Sequence, residues 1–181
     1  MDKQILNIED EFSTERIEIG LQNAGANNKP ISALWTSSII KEDGTITSGW
    51  LEWCEYNQLD FIKKNTYVFT PKDNLKIYTI DSVEDYANEE LSKFMYNPIK
   101  DDIDQQYIYN YIDYQAMADK GYDGIHFTMN GAMIGHCTFR CDCDYVMELY
   151  CIDCESTVWL TKNWWKDYKL LRKETIKHGI Q

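Results

Sequence analysis

Arginine is scarce: Arg16, Arg140 and Arg172 are the only three in 181 residues. Few planar, bidentate phosphate clamps are therefore on offer. No apolar run approaches the ~20 residues that a membrane helix requires. The opening residues, Met-Asp-Lys-Gln-Ile-Leu-Asn-Ile-Glu-Asp, lack a basic stretch leading into an apolar one, so no secretory signal is expected. Gly-x-Ser-x-Gly, His-Glu-x-x-His and Walker-type loops are also missing, as are internal repeats and low-complexity blocks.

What is present describes a folded, acidic chain. An apolar fraction of 44% with 14% aromatics excludes disorder despite 27% charged residues. The length predicts one domain spanning 1–181, with a core over about 29–160 and a C-terminal helix over about 163–177. Thirty acidic residues against 18 basic ones leave a net charge of −12, which repels phosphate backbones and argues against direct nucleic-acid binding. The acids are scattered and not massed on one element, which favours an ordinary acidic surface over a nucleic-acid decoy. Six cysteines without a signal peptide are expected to be reduced thiols in a cytoplasm.

Along the chain, residues 1–30 are polar and poorly periodic, and end in a turn-rich Asn-Ala-Gly-Ala-Asn-Asn-Lys-Pro. A strand is predicted over Ile31–Ser38, a turn at Glu42-Asp43-Gly44, and a helix over Gly49–Tyr56 capped by Ser48. Asn65–Phe69 and Leu75–Ile80 read as strands, and Asp81-Ser82 as the start of a helix reaching Phe94. Asp113 caps a short helix over Tyr114–Lys120 that stops at Gly121. Tyr122–Thr128 reads as a strand turned by Asn130-Gly131, with two further strands in 136–160 and a helix from Trp164 to Lys177. Short strands mixed with short helices, without βαβ alternation, predict an α+β fold.

Most of the chemistry-bearing residues fall between Tyr122 and Trp159. His136, Cys137, Cys141, Cys143, Cys151 and Cys154 invite a zinc site. Yet only one Cys-x-x-Cys occurs, within a strand-like segment, and residues three apart on a strand face opposite ways. Core packing is the better expectation for these thiols. His126 on a strand, His136 by a turn and His178 in the tail give little support to histidine catalysis, and Cys54 reads as a core cysteine. The carboxylates Glu148, Asp153 and Glu155 are more informative. Asp153 and Glu155 would share a strand face beside Ser156 and Thr157, where two acids could orient a ribose or stabilise an electron-poor sugar carbon. A solvated strand face is the plain alternative for any one of them. Trp35-Thr36-Ser37-Ser38 places an aromatic ahead of small hydroxyls at a strand end, suited to stacking a planar ring.

Taken in order, these segments resemble the ADP-ribosyltransferase-like fold superfamily. The resemblance lies in Leu34-Trp35-Thr36-Ser37, the Trp50-Leu-Glu-Trp-Cys54 helix, Tyr122-Asp-Gly-Ile125 and the acid-bearing Tyr150–Trp159 segment. Lys29-Pro30 through Ser37 and Asp153-Cys154 are similar to small bacterial and phage proteins of that group. The resemblance spans about residues 29–160. It implies a single-domain α+β fold with a split antiparallel sheet core and short helices. It further implies a phage- or mobile-element-encoded transferase that uses NAD as substrate to modify a host macromolecule, with a host protein as the expected target. Trp35, Ser37 and Tyr122 would then bind NAD, and Glu155, followed by Asp153 and Glu148, would be the catalytic acid. Such enzymes bring an Arg or His on the first strand to the dinucleotide. Before residue 35 only Arg16 could do so, and a non-catalytic acidic inhibitor on the same scaffold is the alternative.

Overall fold

The computed structural model describes residues 1–8, 10–23, 29–42, 45–59, 65–96, 108–109, 111–135, 139–140, 145–147 and 152–171. Residues 1–30, poorly periodic in sequence, supply a central strand, β1 (Gln4–Ile8), followed by a 3-10 turn at Thr14–Arg16. A hairpin of β2 (Gly20–Asn23) and β3 (Pro30–Ser32) leads into β4 (Leu34–Ser38), so the strand expected over 31–38 is broken at Ala33. A second hairpin, β5 (Ile40–Glu42) and β6 (Thr45–Thr47), precedes α1 (Gly49–Tyr56). Ser48 caps α1 by accepting the Leu51 N–H, as the sequence predicts.

Next come β7 (Asn65–Pro71) and β8 (Ile77–Ile80), then α2 (Val83–Tyr86) and α3 (Glu89–Ser92). The single helix expected from Asp81 to Phe94 is thus two short ones. Ser82 and Asp85 form a capping box for the first, and Asn88 caps the second by accepting the Glu90 N–H. Strands β9 (Met95–Tyr96), β10 (Ile108–Tyr109) and β11 (Tyr111–Ile112) are short. The helix α4 (Tyr114–Asp119) has the expected Asp113 cap, and Gly121 follows it at φ 78°.

Strand β12 (Gly124–Phe127) runs into α5 (Met129–Gly135), where a turn at Asn130-Gly131 was the expectation. Thr128 starts this helix by accepting the Gly131 N–H with its hydroxyl and the Ala132 N–H with its carbonyl. Gly131 lets it lie against β8, since a Cβ there would sit 2.1 Å from the Ile80 carbonyl oxygen. The chain closes with β13 (Phe139–Arg140), β14 (Tyr145–Met147), β15 (Ser156–Trp159) and β16 (Trp165–Leu170).

β16 corrects the predicted C-terminal helix over its residues. Trp165 to Leu170 pair antiparallel with Pro71 to Tyr67, so partnering with a free edge of β7 prevails over local helical patterning. The main sheet has seven strands in the order β16-β7-β1-β4-β15-β12-β8. All its pairings are antiparallel except β12 with β8. The fold is α+β, with few and short helices. Both faces of the sheet are covered near its centre, which is why β1 shows no clean alternation in sequence. Ile5 packs with Leu51, Cys54 and Val68 beneath α1, whereas Leu6 joins Phe12, Tyr67, Phe69, Trp159 and Trp164 on the other face. Trp159 and Trp164 stack with centroids 3.7 Å apart, and Phe12 meets Phe69 edge-on at 5.0 Å. Each such pair adds about 0.5–1.5 kcal/mol beyond its burial.

The sheet is continuous and not two separate halves, but it opens at β4. β1 pairs with β7 at five positions and with β4 at only two, Gln4↔Ser38 and Ile5↔Ser37. The other half of β4, Leu34–Thr36, pairs with β15 instead.

Candidate functional site

The divergence of β1 from β4 creates the first half of the site. Ile39 donates its N–H to the Lys3 carbonyl, so odd-numbered residues of β1 and β4 direct their peptide groups at one another. The next rung after Ile5↔Ser37 would join Asn7 to Trp35, and the pairing stops before it. A cavity of about 260 Å³ lies there, lined among others by Asn7, Trp35, Ser37 and Trp50. A second, of about 360 Å³, shares Leu6, Ile8, Ala33 and Leu34 with the first and reaches Glu18 and Phe12. Lys29 holds its ammonium 5.5 Å from the centre of the Trp35 ring.

Glu155 supplies the second half. The β4–β15 register, Thr36↔Thr157, would set Ser38 opposite Glu155, but the chain bends at 154–155 and the strand begins at Ser156. The Glu155 carboxylate takes the place of a backbone acceptor: its Oε2 accepts the Ser38 N–H at 2.8 Å. The Ser37 hydroxyl donates to the same oxygen at 2.5 Å, a charge-assisted bond, and lies 3.0 Å from the Glu155 carbonyl oxygen. Ser37 Oγ in turn accepts the Trp50 N–H at 3.2 Å, which ties the acid to the first turn of α1, where the helix dipole favours negative charge. Gly49 permits this approach, because a Cβ there would lie 3.3 Å from the Glu155 Cβ. Glu155 does not itself line the cavity; it reaches the wall through Ser37.

The other carboxylate oxygen is different. Glu155 Oε1 is buried and has no hydrogen-bond partner among the described residues. His126 Nδ1 stands 3.5 Å from it and 2.9 Å from the Thr157 hydroxyl. Burial lowers the His126 pKa below its ordinary 6.5, while Glu155, Asp2 and Asp81 pull the other way, so the imidazole is mostly neutral at pH 7.

Of the residues singled out from sequence, Trp35, Ser37 and Glu155 come together. Asp153 does not join them: it is exposed, and with residues 153–155 outside any strand the shared face expected for the two acids does not form. Tyr122 sits beyond Gly124, at the end of β12 far from Phe127 and hence far from Glu155. Its hydroxyl donates to Glu90 and its ring lies under the Lys76 ammonium. Burial, with Glu90 accepting the phenol proton, pushes its pKa up to about 12. Arg16 belongs to the 3-10 turn and not to a first strand. Glu148 lies outside the described residues, as do His136, Cys137, Cys141, Cys143 and Cys151. Cys154 is buried with its sulfur 3.7 Å from the Ser156 hydroxyl, and burial pushes its thiol up to about 11. Among the described residues no three His, Cys, Asp or Glu side chains are grouped to hold a metal.

Sequence reasoning passed over His126, Ser38 and Trp50 as site residues. Ser38 stood next to Ser37 in plain view. His126 required the β12–β15 register, which puts it opposite Thr157. No protein-family model matches the chain, and no curated protein or solved structure does.

Proposed function

We propose that the protein is an NAD-dependent ADP-ribosyltransferase acting on a protein target. The observation that carries this reading is the pairing of an opened β-ladder, walled by two tryptophans, with a clamped glutamate one hydrogen bond away. A planar aromatic amide suits such a slot: its ring stacks on Trp35 or Trp50, and its carboxamide completes the open Asn7/Trp35 rung with one donor and one acceptor. Nicotinamide has that chemistry. Lys29, beside Trp35, offers a positive charge to a diphosphate in a chain poor in arginine.

In the reaction, the C1′–nitrogen bond of NAD breaks, nicotinamide leaves as the neutral base, and the acceptor's nucleophile bonds to C1′ with loss of its proton. Positive charge builds on the ribose as the bond breaks. A preorganised carboxylate next to the sugar lowers that barrier, and Oε1 of Glu155, enclosed and without a hydrogen bond among the described residues, keeps a free acceptor for a ribose hydroxyl once a ligand uncovers it. Ser37 and Ser38 hold Oε2, so the acid does not have to be reorganised when charge develops.

A second reading is favoured by one feature: β1, Gln-Ile-Leu-Asn-Ile, carries neither arginine nor histidine. A cleft without that cation would bind the dinucleotide, or a partner, without turnover. Calorimetry with NAD, followed by labelled NAD in a host lysate, separates the two. Binding with label transfer that Glu155→Gln abolishes supports the transferase. Binding without transfer supports the inhibitor. No detectable NAD binding sinks the nucleotide reading altogether.

A further inference from the structure

His126 has no part in the residue pattern that suggests a transferase, yet it faces the one atom of Glu155 left without a hydrogen bond. Its Nδ1 sees two oxygens, the Thr157 hydroxyl at 2.9 Å and Glu155 Oε1 at 3.5 Å. A bare Nδ1 lone pair would repel the carboxylate oxygen, so the proton of the neutral ring belongs on Nδ1. It is then donated to Thr157, which leaves Oε1 uncommitted. The side chains of His126 and Glu155 are only 18% and 14% exposed, so water screens their interaction little.

We propose that His126 is the positioning residue for Glu155 and a protonation gate on it: with the ring neutral, the enclosed Oε1 keeps a free acceptor for the hydroxyl of a ligand that uncovers it, and the imidazolium takes that acceptor as an ion pair. The inference rests on the nucleotide reading for the identity of that ligand, not for the contact itself. The titratable groups acting on His126 are all acids: Glu155 at the start of β15, Asp2 ahead of β1 and Asp81 after β8. Asp81 is already engaged with the Thr128 hydroxyl. Asp2 and Asp81 are exposed, so of these three acids Glu155 is the enclosed one. Desolvation outweighs these charges and keeps the ring neutral near pH 7; acidification would close the gate.

Two measurements test the gate. In the first, side-chain NMR follows the imidazole of His126 through its titration in the wild type and in Glu155→Gln, with His126→Asn assigning the signal. Loss of the Glu155 charge is expected to move the midpoint down by about one unit. An unchanged midpoint, or a neutral ring protonated on Nε2, overturns the contact. In the second, NAD affinity is measured by calorimetry from about pH 8 to about pH 5. The wild type is expected to weaken about tenfold as His126 takes up its proton, while His126→Asn, which keeps a donor at the Nδ1 position but cannot titrate, stays level. Wild-type binding that is intact but independent of pH over the His126 titration overturns the gate and leaves the transferase reading standing. Failure to bind NAD at any pH removes that reading and the gate with it, while the NMR titration still decides the contact.

Discussion

The two ends of strand β15 are built on opposite terms. At its C-terminal end Trp159 is fully buried, stacks on Trp164 and donates its indole N–H to the Thr36 hydroxyl at 2.8 Å. Thr36 then donates to Gln4 Oε1 at 2.7 Å, so Trp159, Thr36 and Gln4 are matched in a chain, and the group left over is the neutral indole N–H of Trp164, buried without a partner among the described residues. At its N-terminal end Glu155 is also enclosed, but one carboxylate oxygen is left without a partner. A satisfied network stabilises and gives the strand a unique register. An unmatched buried carboxylate oxygen costs more stability than a neutral group does, and it calls for a partner such as a water, an ion or a ligand hydroxyl. Four residues therefore separate the stacked, hydrogen-bonded end from the end on which the proposed function rests.

The contrast can be broken at either end. Trp164→Ala empties the centre of the aromatic cluster and is expected to cost about 3–5 kcal/mol in equilibrium denaturation. A loss under about 1 kcal/mol would show that the stack is not what holds the closed end. Gly131→Ala tests the helix that seats the β8–β12 pair from the far side. With Ile80 backbone in the way, a loss of about 2–3 kcal/mol is expected in the same assay. Thr36→Val strands the Trp159 N–H and the Gln4 carbonyl oxygen together, for about 1–3 kcal/mol.

The open end should behave otherwise. Glu155→Gln keeps an acceptor for Ser37 and Ser38 and removes the unmatched charge, so stability is expected to stay within about 1 kcal/mol of wild type. NAD-dependent labelling, by contrast, should fall at least about a hundredfold. A large stability loss without an effect on labelling would reverse the assignment of the two ends. The smallest effect is in the pH dependence of unfolding. The His126 pKa is lowered on folding, so as pH drops below 6.5 the unfolded chain takes up the proton first, and stability falls towards the folded value. His126→Asn should flatten that part of the curve, from the unfolded value of 6.5 downward, leaving any acid loss from the carboxylates in place.

Local signals in the chain were legible where one residue acts on its neighbours. Ser48 and Asp113 announced their helices because a cap bonds to an N–H three residues on, and Gly121 marked a stop through its positive φ. Trp35, Ser37 and Glu155 were legible as residue types, an aromatic with a hydroxyl and a late acid. Other features depend on partners distant in sequence. The expectation of a helix from Trp164 failed because the edge of β7, far earlier in the chain, offers hydrogen bonds that a local pattern cannot register. The turn at Asn130-Gly131 failed because this glycine serves helix-to-strand packing, not reversal of the chain. Tyr122, expected to open this strand, precedes it instead, beyond the end of β12 that lies away from Glu155.

Composition and local pattern were enough to establish an acidic α+β chain with no apolar stretch long enough for a membrane helix, and to set an aromatic-hydroxyl strand and a late acid as its candidates. Tertiary structure alone decided that β4 is shared between β1 and β15, that the ladder opens at Asn7 and Trp35, and that His126 faces Glu155. The reason is physical. A cap or a turn is an interaction over a few residues, whereas register, burial and the missing partner of a carboxylate oxygen are properties of strands that meet only when the sheet has formed.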